Sequence, residues 1–149
     1  MKVKIKRLVA GAKIPEKAYD KDFCYDVYAV SEEEIAPNVW KYGLGFALQI
    51  QREGAYVDNL SNLSIDIRPR SSVWKTGMVL SNCEGTVDEG YTNEISAVFY
   101  HVMPTMPRYK VGDKIAQIKI GVTEPIDFVM ANTLEDTERG MRGYGSSGK

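Results

Sequence analysis

The segment 77-GMVLSNCEGTVDEGYTNEISAVF-99 decides how this chain is read. Gly77-Met78-Val79-Leu80 leads in as an apolar run, and Ile95-Ser96-Ala97-Val98-Phe99 leads out with strand-like alternation. Between them stand Gly85, Asp88, Gly90, Tyr91 and Asn93, residue types that form turns. The pattern predicts a tight β-hairpin with some positive φ angles near its tip. A carboxylate and an aromatic ring so close together at a tip can hold a flat ring and position a water beside it. Asp88 and Asn93 equally suit a plain surface turn, and the segment alone does not separate the two.

Outward from this segment the chain keeps the same character. Residues 3–6 alternate with period two, residues 23–30 form a second strand candidate, and 38–50 give two short strand-like pieces around Gly43 and Gly45. The acidic stretch 31–34 reads as solvated, and 51–64 as a long polar hairpin loop. Further strands are expected at 65–68, 115–120 and 126–130. No helical periodicity lasts beyond about two turns and no repeat is visible. Short strands punctuated by Gly, Pro and Asn indicate an all-β, jelly-roll-like β-barrel. The domain is expected over 1–138, with a Gly/Ser-rich C-terminal arm over 139–149.

Composition narrows the chemistry. A chain of 149 residues is read as one domain, able to bury roughly two-thirds of its unfolded surface. With 44% hydrophobic and 26% charged residues it is an ordinary globule, and a net charge of −1 offers no general attraction to nucleic acid or anionic membrane. Cys24 and Cys83 are too few for a disulfide framework or a cysteine-rich metal site. With no secretory signal and no long apolar run, a reducing cytoplasm, bacterial or of a phage-infected host, is the expected compartment. His101, the single histidine, has no zinc-type spacing around it, so general-base work falls to a carboxylate.

Several residues stand out locally. Asp26 sits among apolar strand neighbours, where a carboxylate is costly unless paired; a structural ion pair and a functional role are both open. Arg70-Ser71-Ser72, following Pro69, could grip a phosphate at the start of a short helix, or could simply cap that helix. Trp74 suits either the core or a subunit contact. Gln117 is flanked by apolar residues and can donate to a ligand oxygen. The final eleven residues hold four glycines, two serines, two arginines and one large aromatic. By composition this tail reads as disordered, the alternative being a segment that orders over a ligand.

Taken in order, five motifs resemble the homotrimeric deoxyuridine triphosphatases (dUTPases), particularly the short forms common in phages. They run from Cys24-Tyr25-Asp26-Val27-Tyr28-Ala29, through Arg70-Ser71-Ser72 with Lys75 and Gly77, to Asn82, Gly85, Val87-Asp88, Tyr91 and Glu94-Ile95. Gly112-Asp113-Lys114-Ile115-Ala116-Gln117 follows, and Arg139-Gly140 with Gly143-Tyr144-Gly145-Ser146-Ser147-Gly148 closes the set. Cys24 stands where Gly is usual, Thr92-Asn93 where a Gly usually ends the segment, Arg142 where Gly is frequent, and Tyr144 where Phe is typical.

The resemblance implies hydrolysis of dUTP to dUMP and pyrophosphate by water attack on the α-phosphorus, keeping uracil out of DNA and supplying dUMP for thymidylate synthesis. It implies Asp88 as general base and Mg²⁺ on the triphosphate, with Asp26 holding the ion's waters or shaping the sugar and base pocket. Arg70, Ser71, Ser72 and Gln117 would grip phosphates. Asn82 and the backbone near Gly85, Val87, Glu94 and Ile95 would read the uracil edge, with the Tyr91 ring excluding a 2′-hydroxyl. Arg139, Gly143, Tyr144, Gly145, Ser146 and Ser147 would close over the nucleotide. The implied assembly is a homotrimer with sites shared between chains, with no direct nucleic-acid or membrane partner. Two alternatives remain beside it. One is a dCTP deaminase of the same fold, although the position of its catalytic Glu is occupied here by Val98. The other is a dUTPase-like regulatory or binding protein.

Overall fold

The computed structural model describes residues 1–53 and 61–143. Its strands are β1 (Lys2–Arg7), β2 (Tyr25–Tyr28), β3 (Ser31–Ala36), β4 (Val39–Gly43), β5 (Phe46–Gln51), β6 (Asn62–Pro69), β7 (Met78–Leu80), β8 (Gly85–Asp88), β9 (Ser96–His101) and β10 (Lys114–Thr123). A 3₁₀ turn, Ser71–Lys75, links β6 to β7. Every named strand pairing is antiparallel. The strands form a β1-β5 pair, a sheet of order β2-β10-β6-β8 and a sheet of order β3-β4-β9-β7. No described helix is long and apolar enough to cross a membrane.

Alternation builds β6, the strand that reaches both ends of the site. Leu63, Ile65 and Ile67 point into the core, and Ser64, Asp66 and Arg68 line the opposite face. β10 lies beside it with Gln117 opposite Arg68, Lys119 opposite Asp66, and Gly121 opposite Ser64. A side chain at Gly121 would come within 2.5 Å of the Asp66 carboxylate and the Ser64 hydroxyl, so the close approach requires glycine. The core between the sheets is sealed by Tyr42, Phe99 and Tyr109, packed edge to face with ring centroids 5.4–6.3 Å apart. The Tyr42 hydroxyl donates to the Tyr109 carbonyl at 2.9 Å. Gly45, at φ +72°, makes the left-handed turn between β4 and β5.

Four expectations need completion or correction. The acidic stretch 31–34 belongs to β3, an edge strand held by its backbone ladder to β4. Glu33 and Glu34 face water, as expected, while Glu32 is half-buried and pairs with Arg108, whose guanidinium lies 3.5 Å from the centre of the Trp40 ring. Acidic side chains on an edge also discourage further strand pairing, so the run is compatible with a strand that alternation does not reveal. Residues 126–130 form no strand: Phe128 is 94% exposed and Met130 98%, because this segment leaves β10 without finding a partner in its own chain.

The third correction concerns the central segment. β7 and β9 do pair as a hairpin, Met78 with His101 and Leu80 with Phe99. Their connection, however, crosses to the other sheet, where β8 pairs with β6. Such a wide connection needs no tight primed turn. Accordingly the described residues with positive φ are Asn38, Gly45, Gly112 and Gly140, none of them in 82–95. The long loop expected over 51–64 is shortened by β6, which begins at Asn62, and its residues 54–60 lie outside the described residues.

The polar face of β6 has a consequence for acid stability. Asp66 is buried and pairs with Lys119, while Ser64 donates to it at 2.7 Å. Burial pushes this carboxyl up, but the bonds from Lys119 and Ser64 and the Lys119 charge outweigh it and hold it below its ordinary 3.8. A depressed carboxyl stabilises the fold above its unfolded value and loses that contribution as pH falls through the folded one. The wild type should therefore lose stability below about pH 4. Asp66→Asn should be ~2 kcal/mol less stable at neutral pH, because Lys119 loses its nearest partner and keeps only the longer pair with Glu84, and should lose less on acidification. Urea unfolding at pH 7 and pH 3 measures both; equal acid losses in the two proteins would refute this account.

Candidate active site

Two polar centres lie at opposite ends of β6. The first gathers around Asp26, on β2, which is 4% exposed. Arg70 Nε reaches its Oδ1 at 3.2 Å, Gln117 Nε2 the same oxygen at 3.1 Å, and Lys114 Nζ its Oδ2 at 3.0 Å. β10 brings Gln117 opposite Asp26 by strand register. Pro69 ends β6, and Arg70 follows it in extended conformation, which aims its side chain back across β2. Burial by itself raises the Asp26 carboxyl; hydrogen bonds from Lys114 and Gln117 and the charge of Arg70 outweigh it and leave it below its usual value. Asp26 is thus an ion-paired strand carboxylate, and it joins Arg70 and Gln117, two of the residues expected to grip phosphate.

Ser71 and Ser72 open the 3₁₀ turn, with the Ser72 hydroxyl 3.4 Å from Arg70 Nη1. No side chain caps the N-terminal end of this turn, so capping does not account for the two serines. Trp74 is 71% exposed and does not pack in the core.

The second centre is a shallow recess of about 210 Å³ lined by Thr86, Val87, Asp88, Tyr91, Glu94 and Ser96, with Ile95 at its base. Asp88 ends β8 opposite Ser64 and is exposed. Its carbonyl accepts the Tyr91 N–H at 3.0 Å, and the Tyr91 hydroxyl donates to the Glu94 carbonyl at 3.0 Å, so the ring is braced at both ends. Glu94 is committed to structure, its carboxylate accepting the Gly45 N–H at 2.9 Å. Ile95 is in the core; its N–H donates to Phe46 and its carbonyl accepts from Leu44. Its N–H is therefore engaged, and its carbonyl, which has two lone pairs, already accepts one bond. Gly85 is buried at the start of β8 beside Asn82, which is exposed.

The centres do not meet within one chain. Ser64, beside Asp88, and Arg70 are six residues apart along an extended strand, about 20 Å at ~3.3 Å per residue. Arg139 and Gly143 are exposed, and Arg139 and Arg142 hydrogen-bond to backbone carbonyls of this same segment. Tyr144, Gly145, Ser146 and Ser147 lie outside the described residues. His101 Nε2 lies 3.1 Å from the Met106 carbonyl, a structural contact.

No group of three His, Cys, Asp or Glu side chains among the described residues forms a metal-ligand set. Asp26 has three donors on its two oxygens, leaving about one of its four acceptor positions for a water. These residues do not make a resident metal cage.

The sequence is matched by the dUTPase family profile over residues 10–148. It is 32% identical to the deoxyuridine 5'-triphosphate nucleotidohydrolase of Corynebacterium glutamicum, over 99% of this chain and 95% of the relative. The protein of that name from Helicobacter pylori is 30% identical, over 99% and 97%. Among solved structures, the Staphylococcus bacteriophage 80alpha dUTPase with dUPNHPP superimposes with a TM-score of 0.79 at 21% identity, covering 99% of both chains. A variant dUTPase from phage phi11 of S. aureus, described with a structural Mg(II) ion, gives a TM-score of 0.70 at 17% identity, covering 91% of this chain and 100% of that one. The fold is an antiparallel all-β jelly roll of the kind these phage proteins share. This chain belongs to the dUTPase family.

Proposed function

We propose that the protein hydrolyses dUTP to dUMP and pyrophosphate, and that each working site is completed by more than one copy of the chain. The separation of Asp88 from Arg70 along β6 carries this reading, because a general base and a phosphate clamp must reach the same triphosphate. Asp88 takes a proton from the water that attacks the α-phosphorus. The Tyr91 ring supports the deoxyribose, and the backbone of this segment and Asn82, which lies beside Gly85, read the uracil edge. Arg70, Ser71, Ser72 and Gln117 receive the phosphate oxygens, and Asp26 holds Arg70 and Gln117 in place. The substrate is the Mg²⁺ complex of dUTP, in which the cation offsets triphosphate charge. The tail from Arg139 through Ser147 closes over the β- and γ-phosphates. The exposed segment 126–130 supplies apolar surface for contact with another copy.

The test offers dUTP, dCTP, dTTP and UTP with Mg²⁺ and measures pyrophosphate release. A dUTP preference of at least a hundredfold is expected, since a mismatched base edge leaves polar groups unpaired at ~1–3 kcal/mol each. Equal turnover of dUTP and dCTP would sink the proposal, and ammonia release from dCTP would assign the chain to the deaminases. Truncation after Glu138 should reduce kcat/KM by about a hundredfold or more while the fold stays intact, because it removes the phosphate-closing groups without touching the core. Full activity in the truncated protein would remove the tail from the mechanism.

A further inference from the structure

β8 is a short strand at the edge of its sheet, paired on one side only, to β6. Its last residue is Asp88, so the carboxylate stands where an edge strand is most prone to fray. The next residue, Glu89, is tied across to a different sheet. Arg52 Nε donates to Glu89 Oε1 at 2.9 Å and Arg52 Nη2 to Oε2 at 2.5 Å, a bidentate pair with both side chains about 30% exposed. Arg52 immediately follows β5, which is anchored in the core by Ile50, Leu48 and Phe46. The backbone N–H of Leu63, next to Ser64, also interacts with the Glu89 carboxylate. Three elements therefore converge on one side chain adjoining Asp88: the end of β5, the start of β6 and the end of β8.

We propose that Arg52 is a positioning residue for hydrolysis, its bidentate grip on Glu89 fixing the backbone from which Asp88 projects. This inference rests on the assignment of Asp88 as base. An exposed ion pair held by one bond contributes little, whereas a planar two-bond fork restricts orientation as well as distance. Orientation is what a base needs when it must hold a water in line with a phosphorus atom, and small displacements there are costly. Neither Arg52 nor Glu89 has to touch the nucleotide for this to operate.

The experiment compares Arg52→Gln, Arg52→Lys and the reversed pair Arg52→Glu/Glu89→Arg with the wild type. Two readouts are taken on the full-length protein: steady-state dUTP hydrolysis, and amide hydrogen exchange of the peptide spanning 86–91. Arg52→Gln should lower kcat about tenfold with KM within about twofold, and should speed exchange across 86–91. Arg52→Lys, which keeps the charge and loses the fork, should recover only part of kcat, and the reversed pair most of it. The proposal is overturned if Arg52→Gln has wild-type kcat and exchange, if its loss appears in KM alone, or if the reversed pair is as impaired as Arg52→Gln. A wild type inert toward dUTP would refute the functional reading instead. In that event the exchange arm still decides whether Arg52 fixes this corner.

Discussion

Asp88→Asn should lower kcat for dUTP by about 10²–10⁴ while leaving KM within a few-fold of wild type. The replacement keeps the size and much of the hydrogen bonding of the side chain and removes its ability to take a proton. Asp88 is exposed at the end of β8, and its contacts to the rest of the fold run through its backbone, where the carbonyl accepts from Tyr91. Stability should accordingly change little. A non-hydrolysable dUTP analogue should bind the variant nearly as tightly as the wild type. A kcat within tenfold of wild type would show that another group does the proton transfer.

A charge on the unpartnered segment should be as damaging by a different route. Phe128 and Met130 are almost wholly exposed, flanked by Ile126 and Val129 at 68% and 85%. Burying such side chains against a second copy yields ~1.5–3 kcal/mol each, repeated at every equivalent contact. Phe128→Asp removes one such contribution and adds a desolvation cost for a carboxylate. The variant should sediment as a single chain at micromolar concentration and lose more than 99% of dUTP hydrolysis. Its monomer core should remain folded, because no residue of 126–130 packs in it. Full activity in a species of one-chain mass would refute the shared-site reading.

The parts of the fold that were legible in the sequence are those where one face is buried and the other wet. β6 and β10 announce themselves by alternation, and β6 runs into Pro69 where the pattern says it must stop; β1 alternates too, although only Ile5 of it is half-buried. β3 was hidden because an edge strand with charged faces has no alternation to display. Residues 126–130 carry strand-forming side chains, yet a strand exists only where a neighbour completes its ladder. The hairpin of β7 and β9 was visible in its arms, while the excursion of β8 to the other sheet was not, since local turn residues do not report which sheet a strand joins.

The candidate site was legible in its residue types more than in its geometry. The identities of Asp26, Arg70, Gln117 and Asp88 follow from ordered motifs, and strand register then brings the first three together. Lys114 on Asp26 is a contact across 88 positions and Arg52 on Glu89 one across 37, separations at which a single sequence carries no pairing signal. Glu94 and Ile95 are also tied into the fold in ways their sequence does not show: the Glu94 carboxylate accepts from Gly45, and Ile95 exchanges backbone bonds with Leu44 and Phe46.

The span of β6 between Asp88 and Arg70 bears on inheritance as well as on chemistry. A cell carrying two damaged alleles, one spoiled at each end of that strand, makes two kinds of dead polypeptide. If sites are shared between copies as proposed, the sound half of one would face the sound half of the other wherever the two mingle. The unit on which selection acts would then be a junction between neighbours that no gene product owns alone.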